Sequence, residues 1–189
     1  MKKIAVLASG ISRGSNFNAI CQSITQNNYP IQISFLFVTD KTSPITQIAD
    51  KYNIPIISYN HNLKINDQLI KELLSNPVDL IVLAGFMRKL NNNFFELINT
   101  PVINIHPSLL PKYGGKGMFG IAVHKAVYDN KEKISGATVH YVNEKYDEGT
   151  IVYQKECDIA DCTSPEDIAD KVIKIEHCIY IKAITKLLL

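Results

Sequence analysis

Arginine is scarce in this chain. Only Arg13 and Arg88 stand beside 18 lysines, and the formal net charge is +2. The lysines are scattered, with no basic cluster and no interleaving of aromatic and basic residues, so the sequence offers no nucleic-acid surface. Cysteine is sparse too. Cys21, Cys157, Cys162 and Cys178 form no Cys-x-x-Cys pair, which supports neither a disulfide framework nor a zinc site. Reduced thiols in a cytoplasmic protein are the expectation. Long apolar runs are missing as well: none approaches the roughly 18 residues of a membrane span. Lys2 and Lys3 ahead of Ile4-Ala5-Val6-Leu7-Ala8 faintly mimic a signal peptide, but the apolar run is short and Ser9-Gly10 follows at once. It reads as a buried first strand. Repeats, linkers and low-complexity tracts are absent from the sequence, so a single domain over 1–189 is expected.

What is present is enough apolar material for a real core. Hydrophobic residues make up 46% and charged residues 20%, the balance of a soluble globular chain. Short runs rich in Ile, Val and Leu at 4–8, 33–38, 54–57, 80–84 and 102–105 read as central parallel strands, apolar on both faces. Helical patterns at 16–25, 44–51, 66–74 and 92–98 lie between them. This alternation predicts right-handed βαβ units in an α/β, doubly wound, mostly parallel Rossmann-like sheet. After Pro111 the pattern changes to a glycine-rich loop at 114–120, a helix near 121–128 and two strands at 137–142 and 151–157. A strand pair joined by a turn-like stretch is most simply antiparallel. Ser164-Pro165-Glu166-Asp167 opens a long C-terminal helix, with a serine N-cap, proline at the first helical position and acids in the first turn.

The most informative run is Asn104-Ile105-His106-Pro107-Ser108-Leu109-Leu110-Pro111. Side chains alternate along a strand, so Asn104 and His106 share one face, about 6.6 Å apart. Pro107 lacks a ladder donor and ends the strand. An amide and an imidazole therefore stand side by side at a strand's carboxyl end, where open α/β sheets bind ligands. An amide can donate to a developing oxyanion, and a histidine carries a proton near neutral pH. The plainer alternative is a hydrogen-bonded structural histidine.

Other stretches carry weaker signals. Ser9-Gly10-Ile11-Ser12-Arg13-Gly14-Ser15-Asn16 leads from the first strand into a helix N-terminus, which favours an anion. It is neither Gly-x-Gly-x-x-Gly nor a P-loop, and a plain glycine turn is the competing reading. Ala84-Gly85-Phe86-Met87-Arg88 ends the fourth strand and is by composition an ordinary turn, although Arg88 could meet a carboxylate. Asp147 lies in the acidic, glycine-bearing stretch 143–149, and turns are normally of this kind. Were the turn to fold over His106, the carboxylate would raise the imidazole pKa and fix its tautomer. Glu176-His177 interrupts an apolar helix as a polar stripe or a pocket-facing pair. His124 and His140 read as structural, with an option on the rim of a site.

Taken together, Leu83-Ala84-Gly85-Phe86-Met87-Arg88, the run from Asn104 to Tyr113, and Asp147 with Gly149 carry a specific likeness. The chain resembles the phosphoribosylglycinamide formyltransferases, folate-dependent transferases of purine biosynthesis, over essentially its whole length. The resemblance implies formyl transfer from 10-formyltetrahydrofolate, a cosubstrate, to the amine of glycinamide ribonucleotide, with no metal. It implies Asn104, His106 and Asp147 as the catalytic trio. It assigns Gly14, Ser15 and Asn16 to the substrate phosphate, and Ile173, Lys174, Ile175 and Glu176 to the rest of the ribonucleotide. Met87, Arg88, Lys89 and Leu90 would line the folate pocket, and Asn143, Glu144, Lys145 and Tyr146 would close it. Two departures stand out: the phosphate turn is longer than Ser-Gly-x-Gly, and the loop 114–120 lacks a histidine that many relatives carry there.

Glycinamide ribonucleotide and folate are the implied partners, for a cytoplasmic monomer or homodimer that binds neither nucleic acid nor membrane. A formyltetrahydrofolate hydrolase is the nearest rival, but it typically has an N-terminal regulatory domain, whereas this chain starts at its first strand. A methionyl-tRNA formyltransferase appends a nucleic-acid-binding domain. A non-catalytic nucleotide-binding module would have no reason to keep amide, imidazole and carboxylate together.

Overall fold

The computed structural model describes residues 1–10 and 13–189. Ile11 and Ser12, part of the expected phosphate turn, lie outside the described residues. The chain packs as two compact units, Met1–Ile103 with Leu188 and Asn104–Leu187 with Leu189.

The first unit is built of strand–helix repeats: β1 (Lys2–Ala8), α1 (Ser15–Gln26), β2 (Ile31–Val38), α2 (Ile45–Lys51), β3 (Ile56–Ser58), α3 (Ile65–Ser75), β4 (Leu80–Leu83) and α4 (Asn92–Leu97). β1 pairs in parallel with β2 and with β4, and β2 pairs in parallel with β3. Ile4 through Ala8, Leu36 through Val38 and Leu80 through Val82 are essentially without solvent contact. Burial on both faces is why these strands are continuously apolar rather than alternating. Phe17, Ile20 and Cys21 supply the buried stripe of α1. The Asn91 side chain caps α4 by accepting from the Phe94 N–H at 2.9 Å.

The next strand, β5 (Val102–His106), spans the boundary between the units. The second unit continues with α5 (Ile121–Asp129), β6 (Ile134–Tyr141), β7 (Ile151–Asp158) and α6 (Pro165–Leu188). β6 and β7 are antiparallel, with a register shift between Val139 and His140. The seven strands follow the order β3-β2-β1-β4-β5-β6-β7. This is the mostly parallel, Rossmann-like α/β sheet with an antiparallel C-terminal pair and a long last helix that the pattern predicts. α6 begins where its signal lies: the Ser164 hydroxyl accepts from the Asp167 N–H at 3.1 Å, ahead of Pro165 and two acids. Its buried residues are Ile168, Val172, Glu176, Ile179, Tyr180, Ile181, Ala183 and Ile184, most of them at helical spacing, with one carboxylate among them. Among the described residues, no helix is long and apolar enough to cross a membrane.

Candidate active site

β5 delivers two of the expected residues. Asn104 is half-buried and His106, the last residue of the strand, is 3% exposed. The segment that follows Pro107 is held by Thr138 of β6. The Thr138 hydroxyl donates to the Ser108 carbonyl at 2.6 Å and accepts from the Leu110 N–H at 3.1 Å and the Gln154 amide at 2.9 Å. That uses its one donor and both lone pairs. The segment then turns through Tyr113, at φ 56°, whose carbonyl oxygen lies 2.7 Å from His106 Nε2. A carbonyl only accepts, so His106 Nε2 carries a hydrogen. The remaining ring nitrogen, Nδ1, lies 3.5 Å from Asp147 Oδ2.

Asp147 sits in the loop after β6 with φ 57°, in the left-handed region that Asp tolerates better than most residues. Its carboxylate is drawn toward three groups. Oδ2 accepts the Gly115 N–H at 2.8 Å and faces His106, while Oδ1 lies 3.5 Å from His140 Nε2. Two glycines make this closeness possible. A Cβ on Gly114 would stand 3.2 Å from the Asp147 Cβ, and a Cβ on Gly149 would overlap the Tyr141 carbonyl.

Electrostatics follow from this geometry. Burial works to raise the Asp147 pKa, but the His140 contact, the His106 charge and the Gly115 N–H together hold it below its ordinary value. Asp147 is a carboxylate across the neutral range. Burial lowers the His106 pKa, and this outweighs the upward pull of Asp147 and of the Tyr113 carbonyl, while His140 adds to the lowering. Asp147 thus acts on His106 in the expected direction, but the resting imidazole is neutral near pH 7 rather than an imidazolium. The tautomer is set by the Tyr113 carbonyl, not by Asp147 as the sequence suggested. Nearby, His124 of α5 is buried with its Nδ1 unpartnered among the described residues, and burial together with the His106 charge pushes its pKa down to about 4.

The remaining expected site residues lie in three stretches. Gly14 precedes α1 with φ 78°, Ser15 and Asn16 open the helix, and among the described residues no side chain caps it. After β4, the Met87 N–H donates to the Ser9 hydroxyl at 2.7 Å. The buried Asn66 amide donates to the Lys89 carbonyl at 3.2 Å and accepts from the Asn91 N–H at 3.1 Å. Met87, Arg88 and Lys89 are exposed on this clamped segment, whereas Leu90 is buried in the core. In the second unit, the Asn143 side chain accepts the Lys145 N–H at 2.9 Å, Lys145 pairs with Glu148 at 3.3 Å, and Tyr146 is half exposed. On α6, Lys174 is exposed, Ile173 and Ile175 are half-buried and Glu176 is buried. Among the described residues no group of three or more His, Cys, Asp or Glu side chains is arranged to hold a metal ion.

The model of the family described as formyl transferase matches residues 2–184. The chain belongs to the formyl transferase family. It is similar to the phosphoribosylglycinamide formyltransferase of Bacillus subtilis (strain 168), 35% identical over 193 residues that span 100% of this chain and 95% of that protein. It is similar also to the chloroplastic phosphoribosylglycinamide formyltransferase of Arabidopsis thaliana, 32% identical over 97% of this chain but only 64% of that relative's length. In three dimensions it matches the crystal structure of the phosphoribosylglycinamide formyltransferase from Anaplasma phagocytophilum. The TM-score is 0.85 and the identity 30%, over 97% of this chain and 85% of that one. Within the family the chain is an enzyme of the phosphoribosylglycinamide formyltransferase type.

Sequence reasoning undervalued His140 in this formyltransferase. The available signal was strand alternation, which puts Thr138 and His140 on one face of β6, one above the other. The Tyr113 carbonyl and the Gly115 N–H are backbone groups and leave no mark in residue types.

Proposed function

We propose that this formyltransferase moves the formyl group of 10-formyltetrahydrofolate to the amine of glycinamide ribonucleotide in purine biosynthesis. The observation that carries the reading is the buried His106 imidazole 3.5 Å from the ionised Asp147 carboxylate, with the Asn104 amide linked to the same carboxylate through His140. Acyl transfer to an amine needs those parts. The amine attacks the formyl carbon, and the C=O electron pair becomes an oxyanion. Asn104 donates an N–H to that oxyanion, and His106 donates to it once protonated. The adjacent Asp147 carboxylate stabilises the imidazolium. The attacking nitrogen loses a proton, the leaving folate nitrogen gains one, and His106 with Asp147 carries it between them. The carbon–nitrogen bond to folate then breaks. The formyl group is already activated as an N-formyl donor, so the chemistry requires no metal.

The substrate phosphate binds at the start of α1, at Gly14, Ser15 and Asn16, where helix N-terminal amides and the helix dipole favour an anion. Residues 173–176 contact the rest of the ribonucleotide. Met87 through Leu90, held by Ser9 and Asn66, are the folate-binding stretch of the first unit, and residues 143–146 are that of the second. The enzyme acts in the cytoplasm as a monomer or homodimer, with glycinamide ribonucleotide and folate as its partners.

The test is donor consumption by the purified protein with and without glycinamide ribonucleotide. Acceptor-dependent loss of 10-formyltetrahydrofolate is expected. Equal consumption without acceptor would identify a hydrolase. No consumption in either case would leave only a nucleotide-binding module.

A further inference from the structure

We propose that Glu132 is a positioning residue that acts through Tyr113 to keep the resting proton of His106 on Nε2. Nδ1, beside Asp147, is then the nitrogen that takes up the proton during turnover. The inference rests on the proton-carrying role of His106 in formyl transfer. A neutral imidazole has one ring proton, and here two acceptors compete for it. The Tyr113 carbonyl oxygen lies 2.7 Å from Nε2, and Asp147 Oδ2 lies 3.5 Å from Nδ1. A carboxylate is the stronger acceptor of the two. Left to Asp147, the proton would move to Nδ1, and the basic nitrogen would be the one turned away from the carboxylate. The carbonyl wins because it stands at full hydrogen-bond distance and the carboxylate does not. In the neutral ring and in the imidazolium alike, the hydrogen on Nε2 then stays in place.

The backbone does not put that carbonyl there unaided. Tyr113 has φ 56°, a left-handed conformation that bulky residues rarely adopt. Such a conformation persists only where its surroundings impose it. Before Tyr113, the fully buried Ser108 hydroxyl donates to the Lys112 carbonyl at 2.7 Å, and the Lys112 N–H donates to the Leu109 carbonyl at 3.1 Å. At the tip of its ring, the Tyr113 hydroxyl donates to Glu132 Oε1 at 3.0 Å. The Lys112 ammonium donates to the same oxygen at 2.9 Å. Lys112 first, and Tyr113 with it, hold the Glu132 carboxyl below its ordinary value, so it is an ionised acceptor at neutral pH.

Glu132 is a fixed post rather than a loose side chain on the surface. It follows Lys131, at φ 53°, and its N–H donates at 3.3 Å to the carbonyl of Val127, a core residue of α5. Tyr113 is thus held at its backbone from Ser108 and at its hydroxyl from Glu132. Without the second hold, the ring is free to swing and the residue can relax toward an ordinary φ. The carbonyl then turns from Nε2, and Asp147 draws the proton to Nδ1.

The experiment compares Tyr113→Phe, Glu132→Ala, Glu132→Gln, the Tyr113→Phe/Glu132→Ala double variant and His106→Ala by steady-state kinetics, with melting temperatures alongside. Nitrogen-15 NMR of the histidine rings reads the tautomer directly. In the wild-type protein the neutral His106 ring should carry its proton on Nε2. In Tyr113→Phe and in Glu132→Ala, part of the population should carry it on Nδ1. Both variants should lower kcat about fivefold, the scale of one hydrogen bond, with the KM of both substrates little changed. Glu132→Gln offers Tyr113 an acceptor oxygen without the charge and should recover most of the loss. The double variant should be little worse than either single one, since both act through one contact. The alkaline limb of kcat should move to lower pH in Tyr113→Phe, because the hydrogen bond to Nε2 favours the charged ring. The other titratable groups that act on His106 are Asp147, His140 of β6 and His124 of α5, and none of them is altered. An unchanged tautomer in Tyr113→Phe would overturn the proposal. So would a full multiplicative loss in the double variant, or a Gln variant no better than Ala. If Glu132→Ala fails to fold, the tautomer in Tyr113→Phe, which lacks a single oxygen, decides it. Wild-type turnover in His106→Ala would instead overturn the role of His106 itself.

Discussion

His106 and Asp147 meet through Nδ1 and Oδ2 at 3.5 Å, while the other imidazole nitrogen is already engaged by the Tyr113 carbonyl at 2.7 Å. The pair is therefore asymmetric. Only the nitrogen facing Asp147 is free to gain and lose a proton, and whatever charge the ring takes up develops beside the carboxylate.

Asp147→Asn keeps the shape and removes that charge. A neighbouring anion raises a histidine pKa, so its loss must lower the His106 pKa further, in the direction burial already drives it. If turnover depends on the imidazolium, activity falls as pH rises through that pKa, and the alkaline limb should move to lower pH in the variant. A pH–rate profile at saturating substrates checks this. Superimposable profiles with equal turnover would reduce Asp147 to a turn residue.

Acid stability should depend on His124. Its folded pKa of about 4 lies below the ordinary histidine value of 6.5. A group depressed on folding stabilises the protein above its unfolded pKa, and this is lost as pH falls toward the folded value, because the unfolded chain binds the proton first. Between pH 7 and pH 5 the loss from this one residue is about 2 kcal/mol. His106 and His177 are depressed as well and act in the same direction. In His124→Leu the difference between denaturation free energies at pH 7 and pH 5 should shrink by roughly that 2 kcal/mol. An unchanged difference would show that His124 is not a source of the acid sensitivity.

Gly14→Ala tests the phosphate seat. The backbone there is at φ 78°, and a Cβ would stand 2.8 Å from both Ile45 Cγ1 and Ile48 Cδ1. The start of α1 must shift, which moves the amides proposed to face the phosphate. Loss of one charge-assisted hydrogen bond should raise the KM for the ribonucleotide about tenfold, with kcat and the folate KM nearly unchanged, the signature of lost uniform binding. An unaltered ribonucleotide KM in a folded variant would mean that the phosphate is held elsewhere.

The element types were legible because βαβ architecture writes itself as apolar runs separated by helical spacing. The departures from expectation have identifiable causes. β3 starts at Ile56 rather than at 54, since Pro55 has no N–H to give a ladder. β6 starts at Ile134 rather than at 137, because Ser135 and Gly136 disguise it. Gly136 is there because a side chain would overlap the Lys155 carbonyl of the neighbouring strand. The site divides in the same way. Asn104 and His106 are two residues apart, so strand alternation alone places them together. Asp147 could be proposed as a partner only through the family resemblance, since nothing local in its turn distinguishes it. His140 could have been placed beside Thr138 by alternation along β6, but the Asp147 carboxylate that it meets comes from the following loop, which alternation does not reach. The net direction of the His106 pKa could not be read from the sequence either, because it depends on how deeply the ring is buried.

Asn104, His106, His140 and Asp147, together with the Tyr113 carbonyl and the Gly115 amide, all belong to the compact unit that begins at Asn104. The glycine turn before α1 and the clamped Met87–Leu90 segment belong to the unit that ends at Ile103. The proposed reacting groups and part of the proposed recognition are thus written in consecutive stretches of chain. A crossover placed at the Ile103–Asn104 junction would transplant the reacting groups whole. Gene shuffling among related formyltransferases can use that junction to vary the turn before α1 and the Met87–Leu90 stretch while Asn104, His106 and Asp147 are inherited together.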